Sequence, residues 1–236
     1  AWNPDGRGTF AVWASYGIFF DSMANGQGTS FQAPVSSLPW TQLVQFSGPG
    51  TTFVNPYGNQ PKPQPDSFLR PATVVGMSKD ARPPYAQNWN LSLQRALGKD
   101  FVVEARYVGT KGTRLPRNIE ANPAVWGPGA TAQNADRRRI YANCPADGSP
   151  CQLVHVALLS NITNSTYHGG QLTVSRRFSG GLGFSGSYWF SKTLDYLSAM
   201  NLTGAAARPL SGEVDIAQNP FNLFAEHGPS LFDARH

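Results

Sequence analysis

The sequence contains no run of 18 consecutive apolar residues, so it encodes no transmembrane helix. Its start, AWNPDGRGTF, lacks a charged segment followed by an apolar one, and no secretory signal is visible. It does not begin with Met, which is compatible with a fragment or a mature form. None of this excludes a membrane, because the strands of a β-barrel carry a much weaker hydropathy signal than helices. Charge is also scarce, at 14% of residues with a formal net charge of +5. The basic residues are scattered apart from Arg137-Arg138-Arg139, which excludes a nucleic-acid footprint. The chain is too poorly charged and too aromatic to be disordered, with aromatics at 12% of residues and 6 Trp.

Cysteine is limited to Cys144 and Cys151, separated by Pro-Ala-Asp-Gly-Ser-Pro. A disulfide closing this small loop in an oxidising compartment is the favoured reading, and two unrelated thiols are the alternative. His155 nearby is too little for a metal site. No metal and no cofactor is expected.

What the 236 residues do contain is period-two alternation. In Tyr85–Leu97, the residues Tyr85, Gln87, Trp89, Leu91 and Leu93 share one face, while Ala86, Asn88, Asn90, Ser92 and Gln94 share the other. A turn at Gly98-Lys99-Asp100 follows. The next arm places Phe101, Val103, Ala105 and Tyr107 opposite Glu104 and Arg106. A second hairpin spans residues 171–192, turning at Ser179–Leu182, with Phe184, Gly186, Tyr188 and Phe190 on one face. LSLQRALG from Leu91 and LTVSRRFS from Leu172 match in pattern. Each carries an Arg (Arg95, Arg176) on the apolar face before the turn, tolerable near a headgroup region where it can snorkel.

The expected fold is all-β, an antiparallel up-and-down meander forming part of a transmembrane β-barrel wall. Its strands cover about 9–20, 85–97, 101–111, 167–178, 183–192 and 231–236, with long loops at 21–83, 112–166 and 193–230. Gln152–Ser160 reads equally as a strand extension or a short helix. Short and long connections alternate without exception. In a meander every second connection lies on the same side, so long loops gather at one end and short turns at the other, as in outer-membrane barrels. Phe10, Phe101, Phe178 and Phe184 near the short turns, and Phe20, Tyr85, Tyr107 and Phe190 near the long loops, are expected to form two aromatic girdles.

Several stretches also carry a family resemblance: YAQNWNLSLQRALG, VEARYVGTKGTRL, NSTYHGGQLTVSRRFSGGLGF, SYWFSKTLD and AEHGPSLFDARH. Together they resemble the Oar-like TonB-dependent receptors abundant in acidobacteria. The resemblance implies an outer-membrane barrel that imports a ligand with energy supplied by a TonB-type complex, through a plug and a TonB-interacting segment not visible in this chain. Such barrels have roughly 22 strands as a class, so the chain is expected to be an internal fragment of the wall. Expected partners are outer-membrane lipid, the TonB-type energy-coupling complex and an unidentified imported ligand, with no nucleic acid. Localisation is the outer membrane of a Gram-negative bacterium.

Other motifs carry less. Gly181–Gly186 fits G-x-G-x-x-G, but the glycines fall in a turn and a strand with no helix to follow. Sequons at Asn90, Asn161, Asn164 and Asn201 read as composition. His155, His168, His227 and His236 show no ligand spacing, and no catalytic triad can be assembled locally. No enzymatic activity is expected. Arg137–Arg139 reads as a solvated charge run, with capture of an anionic ligand as the sharper alternative. Glu104, Arg106, Arg177 and Lys192 are the candidate lumen-lining residues. Two other functions fit the same strands: a passive porin or structural surface protein, and a soluble all-β glycan-binding module. An open wall with an apolar face and unpaired edges is expected to aggregate without detergent.

Overall fold

A computed structural model describes residues 2–21, 49–59, 70–198 and 217–234. Its strands are β1 (Phe10–Phe20), β2 (Ala72–Met77), β3 (Tyr85–Leu97), β4 (Phe101–Glu120), β5 (Leu153–Ser179), β6 (Leu182–Asp195) and β7 (Gly228–Pro229). Two short 3₁₀ turns occur at Asp136–Arg138 and Leu223–Glu226. Among the described residues the strands form one seven-stranded sheet that is not closed, in the antiparallel order β1-β3-β4-β5-β6-β7, with β2 off this path against β5. Among the described residues no helix is long and apolar enough to cross a membrane.

The register sorts the connections. Phe10 pairs with Arg95, Leu97 with Phe101, Phe101 with Arg176, and Ser179 with Leu182. All the short turns therefore lie at one end of the sheet. Gly180 and Gly181, at φ 60° and 84°, supply the two left-handed positions of a type I′ hairpin turn. At the N-terminal turn Trp2 exchanges both backbone hydrogen bonds with Val12, at 2.8 and 2.9 Å. The long connections leave from the opposite end.

Continuous cross-strand rows show the two faces. Val12, Leu93, Ala105, Leu172 and Tyr188 form one row, and Ala14, Leu91, Tyr107, Gly170 and Phe190 another. Between them lies Trp13, Ser92, Arg106, Gln171 and Trp189 on the reverse face. The exposure is inverted relative to a sheet that folds in water. Leu172 is 50% and Tyr188 58% exposed, whereas Ser92 is 6% and Ser191 9%. Apolar burial drives a water-soluble fold; here the apolar face is the one presented outward. From the Leu97–Phe101 row to the Ile18–Gln87–Lys111 row is about 33 Å along the strands, or about 25 Å of height at a barrel's usual tilt. That is the height of an outer-membrane apolar band.

Aromatics mark both ends of this face. Phe101 and Phe184 meet edge to face at 6.2 Å, and the Arg176 guanidinium lies 5.5 Å from the Phe101 ring. At the long-loop end Phe20 meets Tyr85 at 5.7 Å, and Tyr107 stacks on His168 at 6.1 Å. The Trp89 indole lies across Gly109, where any Cβ would overlap it. An aromatic covering a cross-strand glycine is a known device for filling a sheet surface.

Several strand limits differ from the sequence expectation. The loop expected at 112–166 is strand at both ends, because β4 runs on to Glu120 and β5 starts at Leu153, and only 121–152 remain between them. Register shifts flank Leu115, Arg114 is left-handed at φ 57°, and Pro116 cannot donate to a ladder. These irregularities break the alternation without ending the pairing. The loop expected at 21–83 contains β2, which pairs in parallel with Leu153–Leu159 on the edge of β5 opposite β4. The last expected strand, 231–236, is also displaced. Pairing with β6 occurs earlier, at Gly228 and Pro229, and a turn closed by Asp233 N–H to Ser230 O (2.9 Å) follows; residues 235–236 lie outside the described set. Residues 199–216 of the loop expected at 193–230 likewise lie outside it, and β6 continues to Asp195.

Candidate functional site

The polar face carries a shallow groove of about 420 Å³ between β1, β3 and β4, lined by Trp13, Asn90, Ser92, Gln94, Glu104 and Arg106 among others. Alternation puts these residues on one side, and the unbroken registers align them across strands. The Arg106 guanidinium donates to Glu104 Oε1 at 2.7 Å and to Ser92 Oγ at 3.1 Å. Asn90 Nδ2 donates to Ser15 Oγ at 2.5 Å. Glu104 and Arg106 neutralise each other, so this surface offers hydrogen bonds of both senses and no single-sign charge.

Of the other candidates, Arg177 shares this face at the short-turn end, where its backbone N–H donates to Asp100 O at 2.9 Å. Lys192 does not. The register from Arg176↔Phe184 to Thr166↔Leu194 is continuous, so Lys192 lies on the face of Phe184, Tyr188 and Phe190. Its assignment to the lumen is corrected by parity, since even positions of β6 are the apolar ones.

A second polar centre stands at the long-loop end, on the β4–β5 extension. Glu120 is its hub. Its Oε1 accepts from the backbone N–H groups of Asn122 (2.8 Å) and Val156 (3.1 Å). Its Oε2 lies 2.6 Å from His155 Nδ1 and 3.7 Å from Arg139. Arg139 also donates to Asn122 O (2.9 Å) and Asp136 Oδ1 (2.9 Å) and lies 3.2 Å from His155 Nε2. An arginine can only donate, so His155 Nε2 accepts and its Nδ1–H donates to Glu120. Asn122, fully buried, bonds through its side chain to Tyr141 N–H (2.7 Å) and Val154 O (3.4 Å).

This hub folds residues 121–152 into a cap. Arg138 bonds Asn134 Oδ1 (2.7 Å), Thr131 O (3.0 Å) and Val125 O. Arg137 reaches Pro145 O at 3.5 Å. Arg138 and Arg139 are therefore drawn out of the solvated run: Arg138 ties the loop to itself and Arg139 ties it to β4, while Arg137 stays exposed, as a solvated charge does. Cys144 and Cys151 are joined by a disulfide (S–S 2.01 Å) at the cap's base. In the small loop this disulfide closes, the Ser149 hydroxyl, then the Ser149 backbone N–H, hold the Asp147 carboxyl below its ordinary value. In the N-terminal turn the Thr9 hydroxyl does the same for Asp5. Among the described residues no group of three or more His, Cys, Asp or Glu could hold a metal ion.

The sequence reasoning missed Glu120, Asn122 and Arg139 as one unit. They are brought to His155 across 35, 33 and 16 positions by β4–β5 pairing and by the Ala124↔Arg139 bridge, and no local spacing signals it.

Among solved structures, the chain is similar to the crystal structure of the outer membrane transporter YddB from Escherichia coli. The two share 12% identity at a TM-score of 0.47, over 84% of this chain and 19% of that one. The chain thus spans about a fifth of that transporter's length. A search of curated proteins finds no match. The family model for an outer membrane beta barrel domain matches residues 1–236, and with sorted loops and an outward apolar face on the same chain, this protein belongs to that outer-membrane family.

Proposed function

We propose that this wall belongs to an Oar-like TonB-dependent receptor, which imports a ligand across the outer membrane with energy delivered by a TonB-type complex. The ligand binds at the outer loops and lumen, then passes when an inner-membrane motor displaces a plug. The wall itself performs no covalent chemistry. The observation that carries this reading is the folded cap at 121–152. A buried ion-pair hub and a disulfide hold it on the outer end of the β4–β5 extension, and β2 braces β5 beside it. Ordered structure at the mouth suits ligand capture, whereas free diffusion is served by an open mouth. The five stretches that resemble the Oar-like receptors support the same assignment. A soluble glycan-binding module is excluded, because the chain is an outer-membrane one.

The test uses the full-length protein in planar bilayers with potassium chloride as the permeant probe. A plugged receptor stays closed, and it binds the periplasmic domain of its TonB-type partner in detergent. Steady ohmic conductance without that partner, together with no binding, would establish the passive porin instead.

A further inference from the structure

Lys192 is a cation on an apolar, outward face. It is not alone there. Lys111 lies on the same face one row further toward the long-loop end, on β4, with Thr166 of β5 as its partner. Lys192 lies two strands away on β6, in the row of Tyr16, Trp89, Gly109 and His168. The two lysines are two strand spacings apart sideways and two residues apart lengthwise, about 12 Å between Cα atoms. Arg114, left-handed just above, turns its guanidinium to within 5.9 Å of the Tyr85 ring on this face. Among the described residues neither lysine, nor Arg114, forms an ion pair with Asp or Glu. Below the lysines, the Tyr107 hydroxyl lies 2.7 Å from His168 Nδ1.

The height of this cluster decides its surroundings. It sits at the long-loop end of an apolar band about 25 Å tall, which is where the hydrocarbon of the outer leaflet gives way to headgroups. Cations at that depth, with aromatic rings beneath them, complement an anionic headgroup. We propose that Lys111, Lys192 and Arg114 form a docking surface for a phosphate-bearing lipid headgroup of the outer leaflet. The occupant contacts the cations with its phosphates and lays its acyl chains on Leu91, Tyr107 and Phe190. This assignment rests on the outer-membrane family and the sheet register. It is independent of whether the receptor is coupled to TonB.

The test takes the full-length receptor, delipidated in detergent, and follows its thermal unfolding as lipid A or dephosphorylated lipid A is titrated in. Lipid A should stabilise the native protein, and dephosphorylated lipid A should not. Changing Lys111→Gln and Lys192→Gln should weaken the response roughly fivefold per lysine removed. The Lys111→Arg, Lys192→Arg pair should retain it. Arg95→Gln, at the short-turn end of the same face, should leave it unchanged and serves as the folding control. The proposal is overturned if dephosphorylated lipid A stabilises equally, if inorganic phosphate alone reproduces the effect, or if Arg95→Gln weakens it as much as the lysine changes.

Discussion

Replacing Glu120 with Ala should release the outer cap while leaving the wall intact. The carboxylate is the sole acidic partner drawn to Arg139 from β4, and both side chains are nearly buried, at 7% and 9% exposure. Its loss leaves the guanidinium facing His155 Nε2 with only the exposed Asp136 as counter-ion. Breaking a buried pair by removing one partner costs about 3–5 kcal/mol. The N–H groups of Asn122 and Val156 also lose their acceptor, at about 1–3 kcal/mol for each that water does not reach. A local loss of about 3 kcal/mol corresponds to roughly a hundredfold faster exchange of amides protected by cap opening. Hydrogen exchange followed by mass spectrometry on the full-length protein in detergent should therefore show peptides from 121–152 exchanging about a hundredfold faster. Peptides from β3 and the lower half of β5 should be unchanged. Glu120→Gln, which keeps one acceptor oxygen, should give an intermediate rate. Unchanged protection of the cap in Glu120→Ala would refute the hub.

Three further outcomes follow from the same geometry. Gly109→Val should destabilise the wall by about 1–3 kcal/mol, because its side chain must displace the Trp89 indole; heat-modifiability on gels reports this, and adding Trp89→Ala should recover part of the loss. Reducing Cys144–Cys151, or changing both to Ser, should remove about 2–3 kcal/mol of chain restraint from a small loop. Protease nicking of the cap on intact cells should rise without a change in barrel melting. Leu172→Arg, near the middle of the apolar band, should cost about 2–4 kcal/mol of folding free energy in lipid vesicles, and Thr173→Arg on the reverse face should cost almost nothing.

The membrane-spanning part of this wall was legible because lipid on one side and water on the other impose a strict period of two. Tyr85–Leu97 shows it in full, and the structure begins and ends β3 at those residues. Above the membrane that constraint disappears. Thr113–Glu120 and Asn161–Ser165 have polar residues on both faces, with Leu115, Ile119 and Ile162 scattered among them, and Pro116 and the left-handed Arg114 interrupt the pattern, yet pairing continues through them. β2 has only six residues and a parallel partner 81 positions away at its start, Ala72 to Leu153, so nothing local announces it. The hub is hidden for the same reason, since Glu120, Arg139 and His155 meet only once β4 and β5 are paired. Lys192 is different. Its charge suggests the lumen, but its parity with Phe190, which the sequence shows, places it with the apolar residues.

Alternation along β5 below the outer rim is the pattern on which the wall stands: even-numbered residues face lipid and odd-numbered ones face the lumen. Spin labels on single cysteines introduced at positions 171, 172, 173 and 174 of the full-length protein in lipid vesicles read it out, with Cys144 and Cys151 tied in their disulfide. Labels replacing Leu172 and Val174 should collide with dissolved oxygen, while those replacing Gln171 and Thr173 should collide with a water-soluble nickel chelate. Accessibility in the opposite phase, or no alternation at all, would contradict it.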